Sequence, residues 1–332
     1  MPEVDVLIVI VSWKSAALAI DCLRSIERER IERKLSLGCV VVDNASGDAP
    51  AIAAAVEAHG WGRWAKVFTA ERNGGFAYGN NVGIREGLGR WTPRYVHLLN
   101  PDTVLRAGAI DALTDFLDAH AEAGIAGGIF ENADESLWSI AFRFPNAAAE
   151  FAHGIELGLF ERTFRKSRMA MEMGQDAAPV DWVSGASMMI RRSVIDEIGG
   201  LDEGFFLYFE ETEFCHRAKQ VGYAVWYVPQ SRVMHIAGQS TKVTERNVAP
   251  RRLPAYWFDS RRRYFLLTHG TAYSIAADVL SAVGCGLGSL KRRLLGRPRT
   301  RAPRFVRDLM AKSLLWPRNR RAEQGVRVVP RF

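Results

Sequence analysis

Two unbroken apolar runs, Val6 to Val11 and Cys39 to Val42, constrain this chain more than any other feature. A strand half exposed to water alternates apolar and polar residues. A run with no polar position is what a parallel strand covered on both faces requires. The first run stops at Ser12-Trp13-Lys14-Ser15 and feeds a helical pattern with Leu18, Cys22, Ser25 and Ile26 on one face. The second stops at Asp43-Asn44-Ala45-Ser46, after which Asp48, as N-cap, with Ala49 and Pro50, marks a helix start. Strand, helix, strand, helix at this spacing is a βαβ unit with a right-handed crossover. The expected class is therefore α/β, with a mostly parallel sheet flanked by helices. The 332 residues allow one large domain or two modest ones.

A third run, Val96-His97-Leu98-Leu99, breaks off on Asn100-Pro101-Asp102-Thr103 ahead of a helical segment from about Ala107 to His120. In an open α/β sheet ligands bind beyond the carboxyl ends of the strands, which is where Asp43 and Asp102 fall. Each carboxylate has two readings at this point: a turn or helix cap, or a ligand contact. Between them lies Asn73-Gly74-Gly75-Phe76-Ala77-Tyr78-Gly79-Asn80-Asn81, which reads as a loop approaching a ligand closely, the asparagines offering donors and acceptors. It contains neither GxGxxG nor GxxxxGK[ST], so a dinucleotide fold and a P-loop are both unsupported.

Further along, Gly124 to Phe130 reads as a short strand, and residues 131–178 give no assignable pattern, 162–173 reading as an exposed loop. Asp181-Trp182-Val183-Ser184-Gly185-Ala186 is a small-residue turn feeding a buried strand through Ile190. Trp182 is either core or a sugar-stacking platform. Phe205 to Phe209 then deliver Glu210, Glu211 and Glu213 into the first turn of a helix. One or two of these acids would serve the helix dipole, but an apolar approach also raises a carboxylate's pKa toward general-base use. Ala224 to Val228 is a strand closed by Pro229, and His235 follows as a structural histidine or a ligand.

The four cysteines, Cys22, Cys39, Cys215 and Cys285, lack disulfide or zinc spacing, which suits a reducing compartment. Val4 to Val11 reads as a core strand and not as a secretory leader. The net charge of +7 is unevenly spread: residues 241–332 carry 21 Lys/Arg against 5 Asp/Glu. Such a tail suits phosphates, of lipid headgroups or of nucleic acid. Within it Thr271 to Leu290 is nearly long enough to span a bilayer, but Asp278 and its small residues argue against spanning. Ile275, Val279, Val283, Leu287 and Leu290 form a stripe, so the segment either lies on an anionic membrane or docks on the catalytic body or a twin subunit. Residues 297–332 read as partly irregular.

Taken together, Val42 to Ser46, Asn73 to Asn81, Leu99 to Thr103, Trp182 to Ala186, Phe206 to Arg217 and His235 to Ser240 resemble the inverting family 2 glycosyltransferases of GT-A fold, bacterial rhamnosyltransferase-like members above all. The resemblance covers about residues 4–245 and implies a catalytic domain over 1–245 with a basic, mostly helical extension over 246–332. It implies a nucleotide-sugar donor, a glycan or polyprenyl-linked glycan acceptor and a divalent metal, Mg²⁺ or Mn²⁺. By it, Asp43 takes the base or ribose, Asp102 and His235 hold the metal, and Glu211 is the catalytic base. Ser12, Asn73, Gly74, Gly75, Asn80, Asn81, Asn100, Trp182, Gly185 and Glu210 line the donor and substrate site. Asn100 stands where the family's DxD has its first acid, and Glu211 and Glu213 stand where many relatives carry Asp, which leaves open which glutamate is the base. A cytoplasmic protein, peripheral on the inner face of the cell membrane and able to self-associate, would fit. A sugar-phosphate nucleotidyltransferase is the rival, although its usual glycine- and arginine-rich loop after the first strand is not Ser12-Trp13-Lys14-Ser15. A nucleic-acid binder using the basic tail would leave Asp102, Glu211 and the glycine-asparagine stretch without a role.

Overall fold

The computed structural model describes residues 1–132, 135–138, 141–155, 171, 173–235, 251–297, 301–322 and 325–332. The strands are β1 (Glu3–Ser12), β2 (Leu37–Asp43), β3 (Ala65–Thr69), β4 (Thr92–Leu99), β5 (Thr103–Leu105) and β6 (Ala123–Glu131). They continue with β7 (Leu137–Trp138), β8 (Ala141–Phe142), β9 (Ala178–Val180), β10 (Trp182–Val183), β11 (Ser187–Arg191) and β12 (Ala224–His235). The main sheet runs β3-β2-β1-β4-β11-β6-β12-β5. β3, β2, β1 and β4 are parallel neighbours, and so are β6 and β12. β11 and β5 run antiparallel to their neighbours.

The helices are α1 (Ala16–Arg33), α2 (Ala49–Ala58), α3 (Gly75–Leu88), α4 (Ala109–Ala119), α5 (Ala147–Ile155), α6 (Arg192–Ile198) and α7 (Glu210–Gln220). Beyond them come α8 (Ala255–Leu294), α9 (Phe305–Lys312) and α10 (Pro317–Ala322). The unbroken runs are buried as expected: Val6 to Ile10 and Cys39 to Val42 are all at 0% exposure. The chain builds β1, β2 and β3 outward in one direction, then returns to lay β4 on the other side of β1. That reversal opens a crevice at the carboxyl ends of β1 and β4, beyond Ser12 and Leu99.

Two expectations are corrected. The stretch 73–81 is a loop only as far as Gly74, because α3 starts at Gly75. Its glycines serve packing: a Cβ on Gly79, Gly83 or Gly87 would come within 2.6, 2.3 and 2.4 Å of Val11, Val9 and Leu7. A seam free of side chains thus lets α3 lie directly on β1. Second, Pro229 does not close its strand, since β12 continues to His235 through an irregularity between Tyr227 and Arg232. A residue without an N–H is tolerated where the ladder is already interrupted.

Residues 297–332, read as partly irregular, contain the short helices α9 and α10, while 325–332 have no regular structure and bond to the sheet domain. Thr271–Leu294 is long and apolar enough to cross a membrane by length and composition alone. Within it the Asp278 carboxylate is buried against the Arg261 guanidinium. α8 breaks at Gly270 (φ 83°), and its second half presents small residues, Ala277, Ser281, Gly284 and Gly288, to the interior. Gly284 and Gly288 abut the backbone of Gly154 in α5. The stripe of Val279, Val283, Leu287 and Leu290 faces outward, with Ile275 half-buried at its start. The boundary expected near 245 and the loop expected over 162–170 lie outside the described residues.

Candidate active site

Asp102 and His235 come together although 133 residues separate them. Thr103 of β5 pairs antiparallel with His235 of β12, and this register brings His235 Nε2 to 3.2 Å from Asp102 Oδ1. Both side chains are close to fully buried. One carboxylate oxygen and one imidazole nitrogen are two ligands of the kind a divalent cation takes. Among the described residues no cluster of three or more His, Cys, Asp or Glu could hold a metal by itself. The donor set therefore fits a cation that arrives with the oxygens of a diphosphate, and not a closed protein cage.

Glu211 stands across a single turn from that pair. The Asn100 amide donates to the Ala186 carbonyl at 3.0 Å, and Thr103 Oγ1 donates to the Asn100 carbonyl at 2.7 Å. On the far side of the same turn, a Cβ on Gly185 would touch the Phe76 ring at 2.9 Å and Glu211 Cβ at 3.6 Å. Gly185 thus lets the Glu211 side chain reach the crevice. Glu211 Oε2 is buried and has no hydrogen-bond partner. Burial pushes its carboxyl upward, against the pull of the Gly185 and Thr212 amides. Glu210, buried beside it, is raised further by burial and by the Glu211 charge.

Glu213 is placed differently. Arg217 Nε donates to both its oxygens at 2.9 Å, and Arg327 Nε adds a third bond at 2.7 Å. Both oxygens of Glu213 are thus taken by guanidinium donors, whereas Glu211 Oε2 has no partner, and this difference in geometry distinguishes the two candidate acids. α7 itself begins after two consecutive non-glycine residues in the left-handed region, Tyr208 (φ 72°) and Phe209 (φ 70°). Each such residue costs on the order of 1–3 kcal/mol and persists only where its surroundings over-determine it. Here the Phe206 carbonyl accepts from the Phe76 amide at 2.8 Å, and the Leu207 carbonyl accepts from Ser260 Oγ at 3.0 Å.

The residues around Asp43 form the other wall. Its carboxylate accepts from Ser46 N and Oγ, Gly47 N and Ala49 N, at 2.7–3.1 Å. Burial opposes the charge, but these bonds outweigh it and hold the carboxyl below its ordinary value. Asp43, not Asp48, therefore satisfies the amides at the start of α2. Asp48 Oδ2 instead accepts from Ser12 Oγ at 2.6 Å and Ser15 N at 2.8 Å. Ser12 is fully buried in that bond and ties the β1 turn to the β2 turn.

Asn44 was not singled out by sequence reasoning, yet it organises this wall. Its Nδ2 donates to Asn73 Oδ1 at 3.1 Å and to the Gly75 carbonyl at 3.0 Å, and its Oδ1 accepts from the Gly74 amide at 3.4 Å. Gly75 needs φ 85°, and a Cβ there would stand 1.8 Å from the Phe206 carbonyl oxygen. Asn80 and Asn81, expected to line the donor site, lie buried inside α3: Asn80 Nδ2 donates to Phe76 O, and Asn81 Nδ2 to Leu201 O and Glu203. Trp182 stacks on Phe142 at 4.4 Å with its indole N–H on Arg143 O, so one face of the platform is covered.

Residues 2–250 match the family model described as "Glycosyltransferase like family 2". The chain belongs to that family. It is 31% identical over 157 residues to the N-acetylglucosaminyl-diphospho-decaprenol L-rhamnosyltransferase of Mycobacterium tuberculosis, a match covering 46% of this chain and 50% of that one. It is 24% identical over 197 residues to the dTDP-rhamnosyl transferase RfbF of Shigella flexneri, covering 59% and 60% respectively. The matches thus span about half of these relatives' lengths. Among solved structures, the mannosyltransferase PcManGT from Pyrobaculum calidifontis, in complex with GDP-Man and Mn²⁺, superposes with a TM-score of 0.54. That likeness covers 97% of this chain and 84% of the other at 15% identity, and shows the GT-A fold.

Proposed function

We infer that this family 2 glycosyltransferase moves a sugar from a nucleotide-diphosphate donor to a hydroxyl of a glycan or polyprenyl-linked glycan, with inversion at the anomeric carbon. One observation carries the reading: a buried carboxylate oxygen without a partner, on Glu211, stands across a single turn from the Asp102–His235 pair. Asp102 and His235 would hold Mg²⁺ or Mn²⁺, which when bound supplies Lewis-acid stabilisation to the departing diphosphate. Glu211 takes the proton of the acceptor hydroxyl on the opposite side of the sugar, so displacement proceeds directly. The Asp43–Asn44 turn receives the nucleoside, with Asp43 exchanging its Ser46 hydroxyl bond for one from the base or ribose. The names of the relatives support a rhamnosyl donor on deoxythymidine diphosphate.

The outward stripe of α8 supports a second element of the reading, attachment to the inner face of an anionic membrane. Lys291, Arg292, Arg293 and Arg297 follow the stripe directly. The metal site is tested by Asp102→Asn. Titration with the nucleoside diphosphate should show tighter binding with Mn²⁺ in the wild type and no metal effect in the variant. Equal metal enhancement in both would remove Asp102 from the site.

A further inference from the structure

The 325–332 segment returns to the sheet domain and bonds to the stretch that leads into α7. The Val328 amide donates to Asp202 Oδ1 at 3.0 Å, and its carbonyl accepts from the Glu203 amide at 2.8 Å. The Pro330 carbonyl accepts from the Gly200 amide at 3.0 Å, and the Phe332 ring lies 2.9 Å from where a Gly200 side chain would begin. Arg331 Nη1 donates to the Asp196 and Glu197 carbonyls at the end of α6. Arg327 reaches Glu213, which is fully buried. Asp202, also fully buried, is gripped by Arg263 Nη2 at 2.8 and 2.9 Å, and the same nitrogen donates to the Val326 carbonyl.

These anchors bracket the costliest backbone in the site. Asp202 and Glu213, both fully buried, lie on either side of Tyr208 and Phe209, the pair in the left-handed region. Asn81 holds the same stretch from α3 through Leu201 and Glu203. Two residues apart on a helix, Glu211 and Glu213 point about 200° from one another. Arg327 therefore clamps α7 on the face turned away from the crevice.

We propose that the 325–332 segment is a positioning strap: through Arg327 on Glu213 and Val328 on Asp202 it fixes the start of α7, and with it the Glu211 carboxylate, at the reacting centre. The proposal rests on the reading of Glu211 as the base. Arg327 and Glu213 are positioning residues that touch no substrate. A base must be held to within about 0.5 Å of its productive place, and a shift of about 1 Å can cost 10²-fold in rate.

The test uses the full chain with Mn²⁺ and a polyprenyl-diphosphate-linked N-acetylglucosamine as acceptor, and follows acceptor-dependent release of nucleoside diphosphate from dTDP-rhamnose in wild type, Arg327→Gln, Arg327→Lys, Val328→Pro and Glu211→Gln. Arg327→Gln should lower kcat by about 10-fold or more while leaving the donor KM within about twofold. Arg327→Lys should recover most of the loss, because it restores a charge opposite Glu213. Val328→Pro removes the amide that donates to Asp202 and restricts the Arg327 backbone, so it disturbs both anchors of the strap and should reproduce the kcat-selective loss if Arg327→Gln does not fold. Wild-type kcat in both Arg327→Gln and Val328→Pro, beside an inactive Glu211→Gln, would overturn the strap. So would a loss that appears as raised donor KM, or one that lysine does not restore. Full turnover in Glu211→Gln would instead overturn the assignment of the base, and the strap's purpose with it.

Discussion

Glu211 is held at some cost to the fold. Burial raises its carboxyl, so the folded chain keeps a proton there over a pH range in which the unfolded chain has released it. Stability therefore falls as pH rises from the unfolded value through the raised one, and at neutral pH the ionised group is a burden. Glu211→Gln should raise Tm at pH 7 by roughly 1–2 °C while lowering turnover about 10²-fold. A scanning calorimeter and a rate assay read the two effects, and a lower Tm in the variant would contradict the placement. Because the base acts deprotonated, kcat should fall as pH drops through the raised value, above the ordinary glutamate range. At this scale the family resemblance already favoured Glu211 among the three acids. What separates it from Glu213 was legible only in part: Arg217 stands four residues on along the same helix, but Arg327 lies 114 residues on. Asp43 and Asp48 show the same limit: both read as turn acids, and only the fold decides which one serves α2 and which one serves Ser12.

Elements read well where their pattern had one physical meaning. Runs buried on both faces became parallel strands, and Asn100-Pro101-Asp102 ended β4 where the turn residues said it must. Glycines carry two meanings, close approach to a ligand or to another element, and composition does not distinguish them. Here the spacing of Gly79, Gly83 and Gly87, four residues apart, is the helical period of the seam against β1. Gly83→Val should therefore lose about 1–3 kcal/mol by overpacking Val9, measured by urea denaturation. Val9→Ala in the same chain should recover part of that loss. Gly62→Ala, with nothing within 4 Å, is the control and should stay within about 0.5 kcal/mol of wild type. An unchanged midpoint in Gly83→Val would mean that α3 does not rest on β1 through this seam. The stripe of α8 was visible as a period, but its direction was not: the interior takes the small residues and the outside takes valine and leucine.

Over the whole molecule, the basic excess divides into two parts. Arg261 and Arg263 turn inward to Glu150 and to Asp202, binding α8 to the catalytic body, while Arg261 with Asp278 and Arg262 with Asp259 form pairs inside α8 itself. Lys291, Arg292 and Arg293 follow the outward stripe and are the part expected to meet lipid. Leu287→Glu with Leu290→Glu, at positions 47% and 55% exposed, should spare the fold and abolish sedimentation with anionic vesicles. Wild-type binding should weaken as salt rises. Vesicle binding unaltered by the two glutamates would place the contact elsewhere, and salt-sensitive binding to DNA but not to vesicles would favour a nucleic-acid partner. Sugar transfer itself is most directly tested by incubating the intact chain with dTDP-rhamnose, Mn²⁺ and a polyprenyl-diphosphate-linked N-acetylglucosamine, and identifying what the nucleotide becomes. Free nucleoside diphosphate, formed with the sugar on the acceptor and lost in Asp102→Asn and Glu211→Gln, is the expected result. Conversion to nucleoside triphosphate and sugar phosphate on addition of pyrophosphate, with no sugar on the acceptor, would contradict it.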